Sequence, residues 1–154
     1  MFNSIVVHYG EIGTKGKNRS FFEKKLVENI KWNIKNNFIS VKRLYGRIVI
    51  EIKNDVNFNE LKEKLSNIFG IAYFSFVVKS SLDIEEIKKT AISLIPEKTK
   101  SFRINSSRSN KNFQYSSKDL NNILGEFIKN NKNLQVDLEN PDITIYVEIT
   151  ENNS

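Results

Sequence analysis

The chain has 154 residues, enough for one ordinary domain or two small ones, and its 39% hydrophobic content is too high for a globally disordered protein. It has no cysteine and one histidine, His8, which excludes disulfides and thiolate catalysis within these residues and disfavours a histidine-rich metal site. The lack of cysteine fits a reducing cytosol, and no apolar run approaches the ~18 residues of a membrane span, so we predict a cytoplasmic protein without membrane contact.

The net charge of +6 is distributed unevenly along the chain. Residues 1–79 carry 14 Lys and Arg against 7 Asp and Glu, a balance of +7, whereas residues 80–154 carry 10 against 11, a balance of −1. Within the second half, residues 98–118 contain six basic residues and no acidic one. Segregated positive charge of this kind is typical of a nucleic-acid-binding face.

The first half of the chain predicts secondary structure in the order β-α-β-β-α-β. Apolar alternation predicts strands at residues 5–9, 41–44, 47–52 and 71–79, and four-residue periodicity predicts helices at residues 20–35 and 58–68. Ser20, with Glu23 three residues later, predicts a capping box at the start of the first helix, and Tyr45-Gly46 predicts a hairpin turn. This order is the ferredoxin-like arrangement, which places two helices on one face of a four-stranded antiparallel sheet. We therefore predict a first domain over residues 1–79.

The second half predicts a separate α/β domain over residues 80–154. Asp83 and Glu86 predict a capped helix, which Pro96 ends. There follow a strand at residues 101–105, a basic loop, a helix at about residues 118–131 and a strand at residues 143–149. Because the chain ends five residues after this strand, we predict an open sheet edge and a domain cut before its last strand.

The first candidate binding segment is the glycine-containing loop from Gly10 to Asn18. Lys15, Lys17 and Arg19 lie beside the predicted start of a helix, where exposed amides and the helix dipole favour an anion such as an RNA phosphate. Lys17 is followed by Asn18, so the segment departs from the motif of nucleotide-hydrolysing phosphate loops. This segment is therefore a candidate for phosphate contact and not for nucleotide hydrolysis.

The second candidate segment, residues 103–117, combines basic and aromatic residues. Basic side chains bind phosphates, and aromatic rings stack on exposed bases or support the loop from within. A solvated loop with two core aromatic rings would explain the same pattern. We find no catalytic residue and no metal-ligating set. The candidate RNA-binding residues of this segment are Arg103, Arg108, Lys111, Phe113 and Tyr115.

The segment from Tyr9 to Glu23, YGEIGTKGKNRSFFE, closely resembles the N-terminal signature of the tRNA 4-thiouridine synthases, the ThiI family. The second half resembles the THUMP RNA-binding domain that follows this signature in the family. The matching pieces are Phe102-Arg103, Arg108-Ser109 with Lys111, the segment 113–117, Val136-Asp137-Leu138, Asn140-Pro141-Asp142 and the segment 147–149. The resemblance implies an α+β chain, with a ferredoxin-like domain followed by an α/β THUMP domain.

The resemblance also implies a function in tRNA modification. Family members bind tRNA by its shape and its single-stranded 3′ end, and thiolate a uridine in a pyrophosphatase-type catalytic domain with an S-G-G-x-D-S loop. This chain contains neither that loop nor a cysteine, so we expect no cofactor in it. ATP and Mg²⁺ are implied only for a catalytic domain, in the same or a separate chain.

Two further alternatives have to be weighed against tRNA binding in a sulfurtransferase. The chain could be the THUMP-type subunit of another tRNA-modifying enzyme, or a small phosphoryl-binding enzyme of the acylphosphatase kind, which shares the β-α-β-β-α-β order. It could also form a homodimer through the open edge at residues 143–149, which is compatible with tRNA binding.

Overall fold

The structure is a computed structural model that describes residues 2–10, 16–44 and 46–150. The chain divides into two compact units, Met1–Val78 and Lys79–Ser154, and each has its own hydrophobic core. Within the described ranges, no helix is long and apolar enough to cross a membrane.

The first unit has the predicted ferredoxin-like order. The elements are β1 Ser4–Tyr9, a 3-10 turn Gly16–Asn18, α1 Arg19–Ile34, β2 Phe38–Leu44, β3 Arg47–Ile52, α2 Phe58–Ser66 and β4 Ile71–Val77. The sheet has the order β2-β3-β1-β4, and every neighbouring pair is antiparallel. Of the predicted hairpin turn, Gly46 has a positive φ of 77°, whereas Tyr45 lies outside the described residues.

One face of this sheet packs against both helices of the unit. On the central strand β1, Ile5 lies opposite Ile50 of β3 and Phe76 of β4, so these side chains share the inner face. The helices contribute Leu26, Ile30 and Ile34 from α1 and Leu61 and Leu65 from α2, all buried in the same core. The four-residue and two-residue periodicities of the sequence therefore identify the packed faces correctly.

The predicted capping box at Ser20 is wrong. Helix α1 begins at Arg19, and its N-cap residue Asn18 makes no side-chain capping hydrogen bond. Glu23 is 7% exposed and accepts hydrogen bonds from Tyr9 and Arg19. Because the helix begins at Arg19, Glu23 is its fifth residue and not the third, which is the position of the carboxylate in a capping box, and its hydrogen bonds with Tyr9 and Arg19 determine its position instead.

The second unit is an α/β layer structure with a parallel sheet. The elements are α3 Ile84–Ser93, β5 Ser101–Arg108, α4 Ser117–Lys132, β6 Gln135–Val136 and β7 Ile143–Ile149. The sheet has the order β6-β5-β7, and α4 packs on β5 and against α3. Strand β5 is longer than the predicted 101–105 because it continues to Arg108 in pairing with β7.

The predicted cap of helix α3 is confirmed in part. The Asp83 carboxylate accepts from the backbone amides of Glu85 and Glu86, at 2.7 and 3.3 Å. The Glu86 carboxylate instead accepts from the Ser81 hydroxyl, at 2.6 Å. Asp83 is thus the N-cap, but Glu86 ties the preceding segment to the helix.

Candidate nucleic-acid interface

In the first unit, a buried carboxylate joins three elements, and its partners include the residues just before and just after the first candidate binding segment, Gly10 to Asn18. Glu23 of α1 accepts hydrogen bonds from the Tyr9 hydroxyl at the end of β1 and from Arg19 Nε at 2.7 Å. Arg43 Nη1, at the end of β2, lies 3.1 Å from the second Glu23 oxygen. Arg43 Nη1 also lies 3.0 Å from the Ser20 hydroxyl, to which it donates. The Glu23 cluster, defined as Tyr9, Arg19, Glu23 and Arg43, therefore fixes the start of α1 to the ends of two strands.

The electrostatics of the Glu23 cluster keep the carboxylate ionised. Burial raises the pKa of Glu23, but the hydrogen bonds from Tyr9 and Arg19 and the charges of Arg19 and Arg43 outweigh it, so the net shift is downward. Burial and the bond to Glu23 raise the pKa of the Tyr9 hydroxyl. With two arginines around one carboxylate, the cluster has a net positive charge and can attract an anion.

The three basic residues predicted in and beside the first candidate binding segment, Lys15, Lys17 and Arg19, differ from one another in their surroundings. Lys15 lies outside the described residues. Lys17 is exposed on the 3-10 turn, whereas Arg19 has its Nε bound to Glu23. Phosphate contact by these residues stays a prediction.

Sequence reasoning missed Arg43 as a member of this site. It lies opposite Ile48, a buried residue of β3, and so belongs to the strand face that packs against the helices. A basic residue on that face of a strand is within reach of a carboxylate on a helix packed against the sheet, and it can pair with this carboxylate while it stays more than a third exposed. That signal could have linked Arg43 to Glu23.

In the second unit, Arg108 lies at the start of the basic loop and fixes the loop by hydrogen bonds. Its Nη1 donates to the backbone carbonyls of Phe113 and Tyr115, at 3.1 and 3.2 Å. The Phe113 ring is buried in the core and meets the Tyr115 ring edge-on, with the ring centroids 5.8 Å apart. Of the two roles considered for Phe113, support of the loop is the one that its burial favours.

Both ends of the loop between β5 and α4 are fixed by hydrogen bonds. The amide and hydroxyl of Ser109 donate to the Ile149 carbonyl at the end of β7, at 2.9 and 3.3 Å. At the other end, Ser116 and Asp119 form a reciprocal capping box on α4. Lys111 is exposed between these fixed ends. The structure thus holds Arg108, Phe113 and Tyr115 together and presents Lys111 to solvent.

Replacing Ser116 by alanine is expected to lower the free energy of unfolding by about 1 kcal/mol, the usual value of an N-cap. The serine hydroxyl accepts from the Asp119 amide at 3.1 Å, and alanine leaves that donor without its cap. Chemical denaturation of both variants measures this effect. Ser117→Ala is the matched control, because Ser117 lies inside the helix, and a loss as large as that of Ser116→Ala would contradict the capping role.

Arg103 is not part of the basic loop between β5 and α4. Its Nη1 donates to the Leu138 carbonyl, at 3.0 Å, in the segment that follows β6. Its Nε is buried and has no hydrogen-bond partner among the described residues. Arg103 therefore fixes the segment after β6 to the central strand, and its contact with RNA stays a prediction.

Asp142, in the Asn140-Pro141-Asp142 turn, binds the start of β5. Its Oδ2 accepts from the amides of Lys100 and Ser101, at 2.8 and 3.1 Å, and its own amide donates to the Ser101 hydroxyl at 3.0 Å. These reciprocal bonds set the register in which β7 pairs with β5. The turn motif thus has a structural role.

The stability of the chain is expected to fall with acidification through these carboxylates. Hydrogen bonds from Ser116 lower the pKa of Asp119, and backbone amides of Lys100 and Ser101 lower the pKa of Asp142. A lowered folded-state pKa gives stability that is present above the unfolded-state pKa of about 4 and is lost as the pH falls through the folded-state value. Thermal unfolding between pH 7 and pH 3 measures the loss.

A matched variant tests whether the carboxylates of Asp119 and Asp142 cause this loss of stability at low pH. The double variant Asp119→Asn/Asp142→Asn is expected to start from a lower unfolding midpoint at pH 7 and to lose less of it by pH 3 than the unsubstituted chain. Parallel pH profiles of the two proteins would contradict the assignment.

Comparison with known families matches each unit to a domain. Residues 4–75 match the ThiI ferredoxin-like domain, and residues 82–154 match the THUMP domain. The chain has a ferredoxin-like unit followed by an α/β unit, in which hydrogen bonds fix the basic loop. This is the order of domains in a protein whose THUMP domain follows a ThiI-type N-terminal domain. The chain therefore matches the N-terminal part of the ThiI family, a ferredoxin-like domain followed by a THUMP domain, as its resemblance predicted.

Individual relatives agree with this assignment. A probable tRNA sulfurtransferase of Caldanaerobacter subterraneus subsp. tengcongensis is 39% identical over 98% of this chain, which corresponds to 40% of the relative. The crystal structure of a 4-thiouridine synthetase–RNA complex with bound ATP superposes with a TM-score of 0.85 at 35% identity, over 99% of this chain and 40% of that one. The PH1313 protein of Pyrococcus horikoshii superposes with a TM-score of 0.80 at 32% identity, over 98% of this chain and 52% of that one. The chain thus spans about 40% of the length of the curated relatives that it matches.

Proposed function

We propose that this chain is the tRNA-binding part of a tRNA sulfurtransferase, which binds the acceptor region and the 3′ end of tRNA. The observation that carries the proposal is the THUMP domain at residues 82–154, with a basic loop whose two ends are fixed. The structural relative that is itself an RNA complex supports it, since that chain shares both units. The chain's role would be to hold the RNA, and the chemistry would belong to another domain.

The physical basis of binding is a set of basic side chains on each of the two units. Lys17 and Lys111 are exposed. The Arg43 guanidinium pairs with the Glu23 carboxylate through Nη1, and its side chain is still more than a third exposed. Side chains of this kind neutralise phosphates and release counterions, which provides affinity without reading sequence.

The remaining parts of the proposal concern the whole enzyme. We assign thiolation of a tRNA uridine, and the ATP and Mg²⁺ that it requires, to a pyrophosphatase-type catalytic domain in the same or a separate chain. Homodimerisation through residues 143–149 is compatible with this assignment, and the proposed compartment is the cytoplasm. The S-G-G-x-D-S motif is absent from the sequence, which supports the placement of ATP outside this chain.

The salt dependence of tRNA affinity tests the proposal. If three to four phosphates are contacted, the logarithm of the binding constant should fall with the logarithm of salt concentration with a slope of about −3. The variant Lys17→Gln/Lys111→Gln should reduce the magnitude of this slope by about 2, whereas Lys62→Gln/Lys89→Gln, which removes the same charge from exposed positions of other helices, should not. A slope near zero for the unsubstituted chain would refute binding through phosphates.

A further inference from the structure

The Glu23 cluster of the first unit surrounds one carboxylate with two guanidinium groups. Arg19 Nε donates to Glu23 Oε1 at 2.7 Å, and Arg43 Nη1 lies 3.1 Å from Glu23 Oε2. Tyr9 donates its hydroxyl to Oε1, and its raised pKa keeps it neutral at pH 7. One arginine would neutralise Glu23, so the second arginine leaves the cluster with one excess positive charge.

The cations of the cluster are closer to solvent than the carboxylate. The side chain of Glu23 is 9% exposed, whereas those of Arg19 and Arg43 are 29% and 38% exposed. The buried charge is thus the negative one, and the excess positive charge is at the surface. An anion that approaches this cluster from solvent therefore meets guanidinium groups first.

The Arg43 guanidinium is held through one of its nitrogens. Nη1 pairs with Glu23, donates to the Ser20 hydroxyl at 3.0 Å and donates to the Ser20 carbonyl at 3.4 Å. Among the described residues, Nε and Nη2 of Arg43 have no hydrogen-bond partner. These two nitrogens lie on one edge of the planar group and form a fork that matches two oxygens of a phosphate or a carboxylate.

Two further cations lie near this fork. Arg19 shares the Glu23 carboxylate with Arg43, and Lys17, two residues before Arg19, is exposed on the 3-10 turn. Residues 1–79 as a whole have an excess of seven positive charges. This concentration of positive charge favours a polyanion over a single carboxylate as the partner of Arg43.

We propose that Arg43 binds a phosphate group of the RNA backbone through its Nε–Nη2 edge, and that Glu23 is the positioning residue of this contact. The carboxylate holds Nη1, so the opposite edge of the guanidinium is presented in a fixed orientation. Arg19 adds positive charge beside the same phosphate. This inference rests on the proposed tRNA binding and adds to it a named phosphate contact and the residue that orients it.

Variants of Arg43 test the phosphate contact. Arg43→Gln is expected to lower tRNA affinity about ten-fold and to reduce the magnitude of the salt slope by about 1. Arg43→Lys should keep the slope and recover only part of the affinity, because an ammonium lacks the fork. Lys42→Gln removes the same charge from the next residue, which lies opposite Val49 on the other face of the sheet, and should keep the slope. An unchanged slope in Arg43→Gln, or equal changes in Arg43→Gln and Lys42→Gln, would overturn the contact.

The sign of the effect of Glu23→Gln tests the positioning role. Removal of a negative charge would by itself strengthen RNA binding, whereas loss of the contact that orients Arg43 should weaken it about ten-fold, the order expected for one charged hydrogen bond. Glu28→Gln removes the same charge from an exposed position of α1 and should bind at least as tightly as the unsubstituted chain. An affinity of Glu23→Gln equal to or above that of the unsubstituted chain would overturn the positioning role.

Tyr9→Phe controls for lost stability. It removes one hydrogen bond of Glu23 but leaves the carboxylate and both arginines, so below its unfolding midpoint it should bind tRNA as the unsubstituted chain does. A loss of affinity as large as that of Glu23→Gln would mean that both variants act through folding, which would also overturn the positioning role.

A double variant separates this inference from the proposed function. In the Arg43→Gln background, Glu23→Gln should lower the affinity much less than in the unsubstituted chain, because it acts through Arg43. Additive losses would overturn the inference and leave tRNA binding in place, provided that the unsubstituted chain binds tRNA with a steep salt slope. Failure of the unsubstituted chain to bind any tRNA would overturn both proposals.

Discussion

Replacing Glu23 by alanine is expected to lower the free energy of unfolding of the first unit by about 2 kcal/mol, because it removes a buried acceptor of charged hydrogen bonds. Glu23 accepts from Tyr9 and Arg19 and pairs with Arg43, so its loss leaves three donors from three elements without their acceptor. For a unit of this size, the loss corresponds to a fall in the unfolding midpoint of about 10 °C or more. Thermal and chemical unfolding of the full chain measure it.

Glu28→Ala is the matched control for this prediction. Glu28 lies on the same helix and pairs with Lys25 at 2.9 Å, but both side chains are more than half exposed, so the change should be within about 0.5 kcal/mol. A loss of similar size in both variants would mean that the Glu23 cluster does not hold the unit together.

Replacing Arg108 by alanine is expected to lower tRNA affinity about ten-fold, and Arg108→Lys should not restore it. The Arg108 guanidinium donates to two backbone carbonyls of the basic loop, and a lysine ammonium lacks the planar geometry that fixes this arrangement. Since the effect would come through the loop position, the slope of affinity against salt concentration should stay nearly unchanged.

Lys111→Ala distinguishes a phosphate contact from this positioning role. Lys111 is exposed in the same loop, so its removal should weaken tRNA binding moderately and reduce the magnitude of the salt slope by about 1. If Arg108→Lys restores full affinity, or if Arg108→Ala changes the salt slope as Lys111→Ala does, Arg108 contacts phosphate directly. Binding titrations at several salt concentrations decide between these outcomes.

Local patterns predicted most of the fold because they depend on neighbouring residues. The alternation of Ile48, Ile50 and Ile52 and the four-residue spacing of Leu26, Ile30 and Ile34 identified the buried faces, and all six side chains are buried. The capping box of Ser116 and Asp119 is also a local feature, because the two residues are only three positions apart.

The features that sequence reasoning missed depend on residues far apart in the chain. Ser20 and Glu23 have the spacing of a capping box, but Tyr9 and Arg43, 14 and 20 residues from Glu23, provide stronger donors. In the same way, Arg103 binds the carbonyl of Leu138, 35 residues away, and this contact is invisible to periodicity. Side chains that join separate elements therefore need the three-dimensional structure.

The most direct test of the central proposal is a binding titration of this chain with an intact tRNA and with the same tRNA trimmed of its single-stranded 3′ end, each at two salt concentrations. We predict that the intact tRNA binds more tightly than the trimmed one and that both affinities fall steeply as the salt concentration rises. Equal affinity for the two RNAs would contradict recognition of the 3′ end and would mean that the chain binds RNA only through its positive surface charge. No binding of either RNA would contradict the proposed function itself.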